Sequence, residues 1–230
     1  MQRPIPRKVK EHIPEEQIIQ DLERYQEAAQ KVEGVTDAAI IGRDDIYVDY
    51  RVRCKCGIPR CFGYGTSSFC PPHGISSEET LKLVQCYRHA IFIKTEVPPD
   101  AVAGEELSKA IVSGKRDPEE KLIQTGRGFV TIFKAVAKVE SLAFYDGYYL
   151  STGFAGGSCK QVLCTTFPNC AVLEGEKCRR PYFARPSMEG AGFDALRMAA
   201  KIGWEVYPVG SSCRPEDIPY GTFMGLVLVT

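Results

Sequence analysis

Residues 129–143 read Phe129-Val-Thr-Ile132-Phe133-Lys-Ala-Val136-Ala-Lys-Val139-Glu-Ser-Leu-Ala143. Phe129, Ile132, Phe133, Val136, Val139 and Ala143 recur at helical spacing and form one apolar stripe, the core-facing side of a long helix. The helical character begins near Pro118. Upstream, Pro14 sits where a helix starts, and Ile18, Leu22, Tyr25, Ala29 and Val32 follow at the same spacing until Gly34. Residues 37–41 and 46–52 are apolar and β-branched around the turn sequence Gly42-Arg43-Asp44-Asp45, which predicts a hairpin. Ser76-Ser77-Glu78-Glu79 is an N-cap signal for a helix running to about His89, and residues 90–94 read as a buried strand. A short helix is expected over 105–112 and a strand over 148–154. A further helix should open at Ser187-Met188-Glu189 and close near Gly203, followed by strands over 204–209 and 223–229. Alternating helices and short strands predict an α/β chain of mixed α+β type. Residues 13–230 form a single compact domain with helices around a short-stranded sheet and two cysteine-rich metal-binding loops at strand ends. Residues 1–12 form a loose basic arm.

Bulk properties narrow the function classes. The chain has 230 residues, 44% of them hydrophobic, enough for a sizeable core without disulfides or metals. Lys+Arg and Asp+Glu number 29 each, so no net field points to nucleic acid or membrane. No stretch approaches the roughly 20 apolar residues that span a bilayer, and the N-terminus lacks the apolar run of a secretory signal. A cytoplasmic protein is expected. Neither a Gly-x-Gly-x-x-Gly dinucleotide loop nor a Gly-x4-Gly-Lys-Ser/Thr phosphate loop is present, and no paired carboxylates or Ser/His/Asp arrangement argue for a hydrolase.

Cysteine is the outlier, with ten residues against only three histidines. In a reducing compartment this favours metal or redox chemistry over disulfides. The cysteines are bunched as Cys54-x-Cys56-x4-Cys61-x8-Cys70-Pro-Pro and Cys159-x4-Cys164-x5-Cys170-x7-Cys178-Arg-Arg-Pro. Each set offers four thiolates, the number taken by a tetrahedral zinc or a four-iron cluster. No C-x2-C pair occurs, whereas zinc knuckles commonly use one. The looser loops and the proline after Cys70 favour iron–sulfur of the 4Fe-4S type, with zinc as the alternative. Arg51, Arg53, Lys55 and Arg60 flank the first set and Lys160, Lys177, Arg179 and Arg180 the second. Cations so placed would offset cluster charge and depress thiol pKa values.

Individual cysteines differ in standing. Cys54 and Cys56 would point to opposite sides of an extended segment, so Cys56, Cys61 and Cys70 can form a three-cysteine site with an open position. Cys54 or His73 then becomes the candidate fourth ligand. Cys86, in a helical context with Leu83, Tyr87 and Ala90, reads as a packed thiol, and Cys213 as a loop thiol outside both sets.

The motifs Lys55-Cys56-x4-Cys61-Phe62-Gly63-Tyr64-Gly65, Cys70-Pro71-Pro72-His73, Lys138-Val139-Glu140-x-x-Ala143-Phe144-Tyr145-Asp146-Gly147, Gly156-Gly157-Ser158-Cys159-Lys160 and Cys178-Arg179-Arg180-Pro181-Tyr182-Phe183-Ala184-Arg185-Pro186-Ser187-Met188-Glu189 occur in that order. With these motifs, spanning roughly Cys54 to Val209, the chain resembles a family of predicted metal-binding proteins catalogued as domain of unknown function 2284. The resemblance implies that Cys56, Cys61 and Cys70, with Cys159, Cys164, Cys170 and Cys178, are the ligands to favour; Cys54 lies outside the pattern. Arg185 and Ser187, at the start of a predicted helix, are candidates to bind an anionic cofactor, and Glu140 is a candidate ion-pair partner for an arginine near a cluster. The leading expectation is an iron–sulfur protein passing electrons to a redox partner protein. An enzyme using an open-site cluster and a zinc-stabilised adaptor are the alternatives.

Overall fold

The computed structural model describes residues 5–104, 120–210 and 212–230. The short helix expected over 105–112 lies outside them. Four strands, β1 (Asp37–Gly42), β2 (His89–Val97), β3 (Thr152–Ala155) and β4 (Gly221–Leu228), form one sheet in the order β1-β2-β4-β3, antiparallel at every pairing. Among the described residues seven α-helices surround it: α1 (Glu15–Gln30), α2 (Tyr50–Lys55), α3 (Ser77–Val84), α4 (Glu120–Tyr145), α5 (Cys159–Leu163), α6 (Met188–Ala191) and α7 (Ala195–Lys201). This is the single mixed α+β domain that the sequence predicts.

Both faces of the sheet are covered, which is why β2 reads as an almost unbroken apolar run. On one face, Ile91, Ile93 and Val227 meet Ile18, Leu22 and Tyr25 of α1 and Ile132, Phe133, Val136 and Val139 of α4. On the other, Phe92, Leu226 and Leu228 meet Val84 of α3, Met188 of α6 and Met198 of α7, with Trp204 stacked on Phe92 at 5.1 Å between ring centroids. Gly225 faces α4 so closely that a Cβ there would stand 2.5 Å from Val136 Cγ2 and 2.9 Å from Ile132 Cγ2. Gly225→Ala is therefore expected to destabilise the chain by roughly 1–3 kcal/mol through overpacking, read as a lower urea midpoint at unchanged slope.

The α1 helix, the capping box of α3 (Ser76 and Glu79), the length of α4 and the strands β2 and β4 match the sequence expectations. Three expectations are corrected. First, residues 46–52 do not pair with β1 as a hairpin; β1 pairs with β2. Val48 keeps only a single bridge to Phe193. The Asp49 side chain then accepts from Arg51 N and starts α2, while Ile46, Tyr47 and Val48 pack under the sheet. Second, the helix expected from Ser187 to Gly203 is broken into α6 and α7. Gly192 takes a left-handed φ of 95° and Asp194 recaps the chain through Arg197 N at 3.1 Å. Third, residues 204–209 are not a strand: Trp204 and Val206 lie on a sheet face, where no backbone edge is open to pair.

Candidate metal centre

The two cysteine sets converge on one region beyond the end of β3. Gly156 N donates to Met224 O (2.8 Å), and Gly157, with φ of 82°, turns the chain into Ser158 and Cys159 at the start of α5. Ala155 also bridges in parallel to Ser187. Ser187 N in turn donates to Phe69 O at 3.2 Å, so one residue ties the sheet to the loop before Cys70. The first loop is folded on itself by Cys61 N to Cys56 O (2.9 Å), Gly65 N to Pro71 O (2.7 Å) and Gly74 N to Cys70 O (2.9 Å).

All ten cysteines are unbridged. Cys56, Cys61 and Cys70 lie within electrostatic reach of one another, Cys159 lies within reach of Cys170 and Cys178, and the buried members Cys70 and Cys159 lie within reach of each other across the two sets. In each set one sulfur accepts the backbone amide two residues on: Gly63 N to Cys61 Sγ and Arg180 N to Cys178 Sγ, both 3.4 Å. Cys164 closes α5, its carbonyl accepting from the buried Lys160 ammonium at 3.2 Å. Cys54 stands one turn after Tyr50 on the same face of α2, close enough to its phenol to raise the phenol pKa. Cys86 is exposed, with its thiol against Lys82 O at 3.5 Å, which corrects the expectation of a packed thiol: α3 ends at Val84 and the chain leaves the core there.

Of the flanking cations, Arg53 lowers the Cys56 thiol as expected, but burial outweighs it. Arg53 spends its guanidinium on carbonyls, donating to Ile75 O (2.7 Å), Gly74 O (3.2 Å), Pro72 O (3.3 Å) and Gly190 O. Arg51 pairs with Asp49, Arg179 with Glu174 and Glu176, and Arg180 donates to Leu163 O. With the cations so engaged, burial dominates. It pushes the Cys56 and Cys70 thiols up to about 11, helped by neighbouring thiols and the Glu189 carboxylate. Burial likewise takes Cys159 up to about 12, against the opposing hydrogen bond from Ser67. Cys170 goes the other way: burial would raise it, but the amides of Ser68, Leu173 and Val172 outweigh that and hold it below the ordinary thiol range. A metal taking these sulfurs must displace protons from the raised thiols, so uptake strengthens as pH rises.

Arg185 and Ser187 are committed within the protein. Arg185 forms an ion pair with Glu140, the pairing anticipated for that glutamate, and donates to Ala184 O at 2.8 Å. Ser187 Oγ caps α6 through Gly190 N (3.1 Å) and donates to Glu189 Oε2 (3.0 Å), which also accepts from Gly157 N (3.1 Å). The helix they open is four residues long. Ser67, Ser158 and Glu189 are the residues beside the cysteines that sequence reasoning missed; the only signal was that Ser158 and Glu189 stand inside quoted motifs, and Arg53 was read as a flanking cation and not as a clamp on carbonyls.

Among the described residues no three His, Cys, Asp or Glu side chains are grouped closely enough to hold a single metal ion. The donor chemistry nonetheless fits a thiophilic centre: soft sulfurs, amides aimed at them, and a Ser158 hydroxyl that is buried with no hydrogen bond of good geometry, although it stands near enough to Cys70 to favour its thiolate. Fold and site together define a mixed α+β protein built to present two adjoining cysteine sets. The chain belongs to the family of predicted metal-binding proteins (DUF2284), whose model matches residues 39–229. No curated protein and no solved structure matches it.

Proposed function

We propose that this chain is an iron–sulfur protein that carries one or two clusters of the 4Fe-4S type on Cys56, Cys61 and Cys70 and on Cys159, Cys164, Cys170 and Cys178, and that it passes electrons to a partner protein. The carrying observation is that free thiols 89 residues apart in sequence, Cys70 and Cys159, are brought within electrostatic reach of each other, with backbone amides directed at sulfur in both sets. Hydrogen bonds to cluster sulfurs tune potential, and thiolates are the ligands iron–sulfur clusters take. A reducing, cytoplasmic setting suits ten unbridged cysteines. Among the described residues no helix is long and apolar enough to cross a membrane. The test is anaerobic purification or reconstitution with iron and sulfide, followed by iron, sulfide and zinc analysis and electron paramagnetic resonance. Brown protein with matching iron and sulfide is expected. A colourless preparation holding zinc and no sulfide overturns the reading in favour of a zinc-stabilised adaptor.

The nearness of Cys54 to the Tyr50 phenol favours a second reading of the first set, a three-thiolate site with an open iron suited to substrate binding. Cys54→Ala is then expected to leave iron content and the cluster spectrum unchanged. Loss of one cluster in that variant would make Cys54 a ligand and close the site.

A further inference from the structure

Two hydroxyls cross between the cysteine loops. Ser67, fully buried in the first loop, places Oγ 3.2 Å from Cys159 Sγ of the second set. The same oxygen accepts from Phe69 N at 3.1 Å, and once Cys159 is a thiolate the Ser67 hydroxyl is the donor of the pair. Its neighbour Ser68 stands with Oγ 4.0 Å from Cys170 Sγ, again in the second set. In the opposite sense Ser158, in the second loop and 6% exposed, has a buried Oγ without a hydrogen bond of good geometry and stands near enough to Cys70 of the first set to favour its thiolate. Ser158 is held there by contact: a Cβ on Gly63 would lie 3.2 Å from Ser158 Cβ and 3.8 Å from Cys61 Sγ, so the glycine lets the second loop press into the first.

We propose that these serines are positioning residues acting across the two sets: Ser67 tunes the centre held by Cys159, Cys170 and Cys178, and Ser158 tunes the centre held by Cys56, Cys61 and Cys70. The inference rests on the metal-centre reading above. An O–H directed at a ligating sulfur withdraws charge from it and raises the centre's reduction potential. A buried hydroxyl with no other partner is costly unless a thiolate accepts a hydrogen bond from it, so Ser158 is completed by a charged sulfur in the first set. Because each loop completes the other's centre, assembly at one set favours assembly at the other.

The test separates the sets with two full-length backgrounds reconstituted anaerobically with ferrous iron and sulfide. One carries Cys170→Ala and Cys178→Ala and keeps the first set. The other carries Cys56→Ala and Cys61→Ala and keeps the second. Midpoint potential and paramagnetic g-values are read in each. Ser158→Ala is expected to lower the potential of the first set alone, and Ser67→Ala that of the second set alone. A serine that shifts only the set on its own loop, or neither serine shifting either potential, overturns the inference while leaving the metal-centre reading intact. Failure of the unsubstituted chain to take up iron and sulfide overturns that reading instead. If the chain takes cobalt or zinc in place of clusters, the thiolate-to-cobalt absorption bands of the same variants decide by the same crosswise rule. Circular dichroism checks each fold. Should Ser67→Ala misfold through loss of the Phe69 contact, the Ser158→Ala arm decides alone, since that hydroxyl has no hydrogen-bond partner to lose.

Discussion

Arg53→Ala is expected to lower the unfolding free energy by about 3 kcal/mol and to remove the first centre from protein that still folds. The guanidinium joins α2 to three carbonyls of the segment after Cys70 and to Gly190 O in α6. Without it those acceptors face a partly buried gap with no donor, and Cys56 and Cys70 lose the clamp that sets their spacing. Lysine is a poor substitute, since one ammonium cannot reproduce a planar fork reaching four acceptors. Arg53→Lys should therefore recover only a minor part of the loss. The measurements are thermal unfolding followed by circular dichroism and metal content per chain. An Arg53→Ala protein with the parental melting temperature and full metal content would show the clamp to be dispensable.

Cys70→Ala carries the second large effect. Cys70 is 5% exposed and lies between the rest of its own set and Cys159. Its removal is expected to cut iron and sulfide to roughly half of the parental content or less, because the cluster proposed on Cys56, Cys61 and Cys70 loses one of its three thiolates. The surviving centre should also show altered g-values, because Cys70, the thiol within electrostatic reach of Cys159, is gone. Cys86→Ala is the matched control: that thiol is exposed on the helix–strand connection, and its loss should change neither quantity. Parental iron content in Cys70→Ala would remove this residue from the ligand set.

The legibility of this chain in its sequence follows from the range of each interaction. Stripes such as Ile132, Phe133 and Val136 are local periodic signals, and the helix they predict is present, as is the Ser76–Glu79 capping box. The hairpin failed for a nonlocal reason: residues 46–52 have strand composition, but Ile46, Tyr47 and Val48 pack beneath the sheet, with Val48 bridged to Phe193, instead of pairing along the free edge of β1. At the site, cysteine spacing was enough to single out two sets and to doubt Cys54. The thiol environments were not readable, because whether a cation depresses a thiol depends on what else it touches. Arg53 and Arg180 turned to carbonyls, and burial prevailed at Cys56, Cys70 and Cys159. Ser67 and Ser158 carry no periodicity and gain meaning only from the opposite loop.

The family match opens at residue 39, inside β1, whereas Ile18, Leu22, Tyr25 and Ala29 of α1 are buried against the sheet. Anyone trimming expression boundaries to the matched segment would thus peel away a structural wall. The fragment would bare Ile91 and Ile93 and also lose Asp21, which binds Arg7, Arg24 and the Tyr148 hydroxyl. Such a fragment should self-associate through that uncovered strip, so poor behaviour in solution would reflect a missing helix and say nothing about its cysteines.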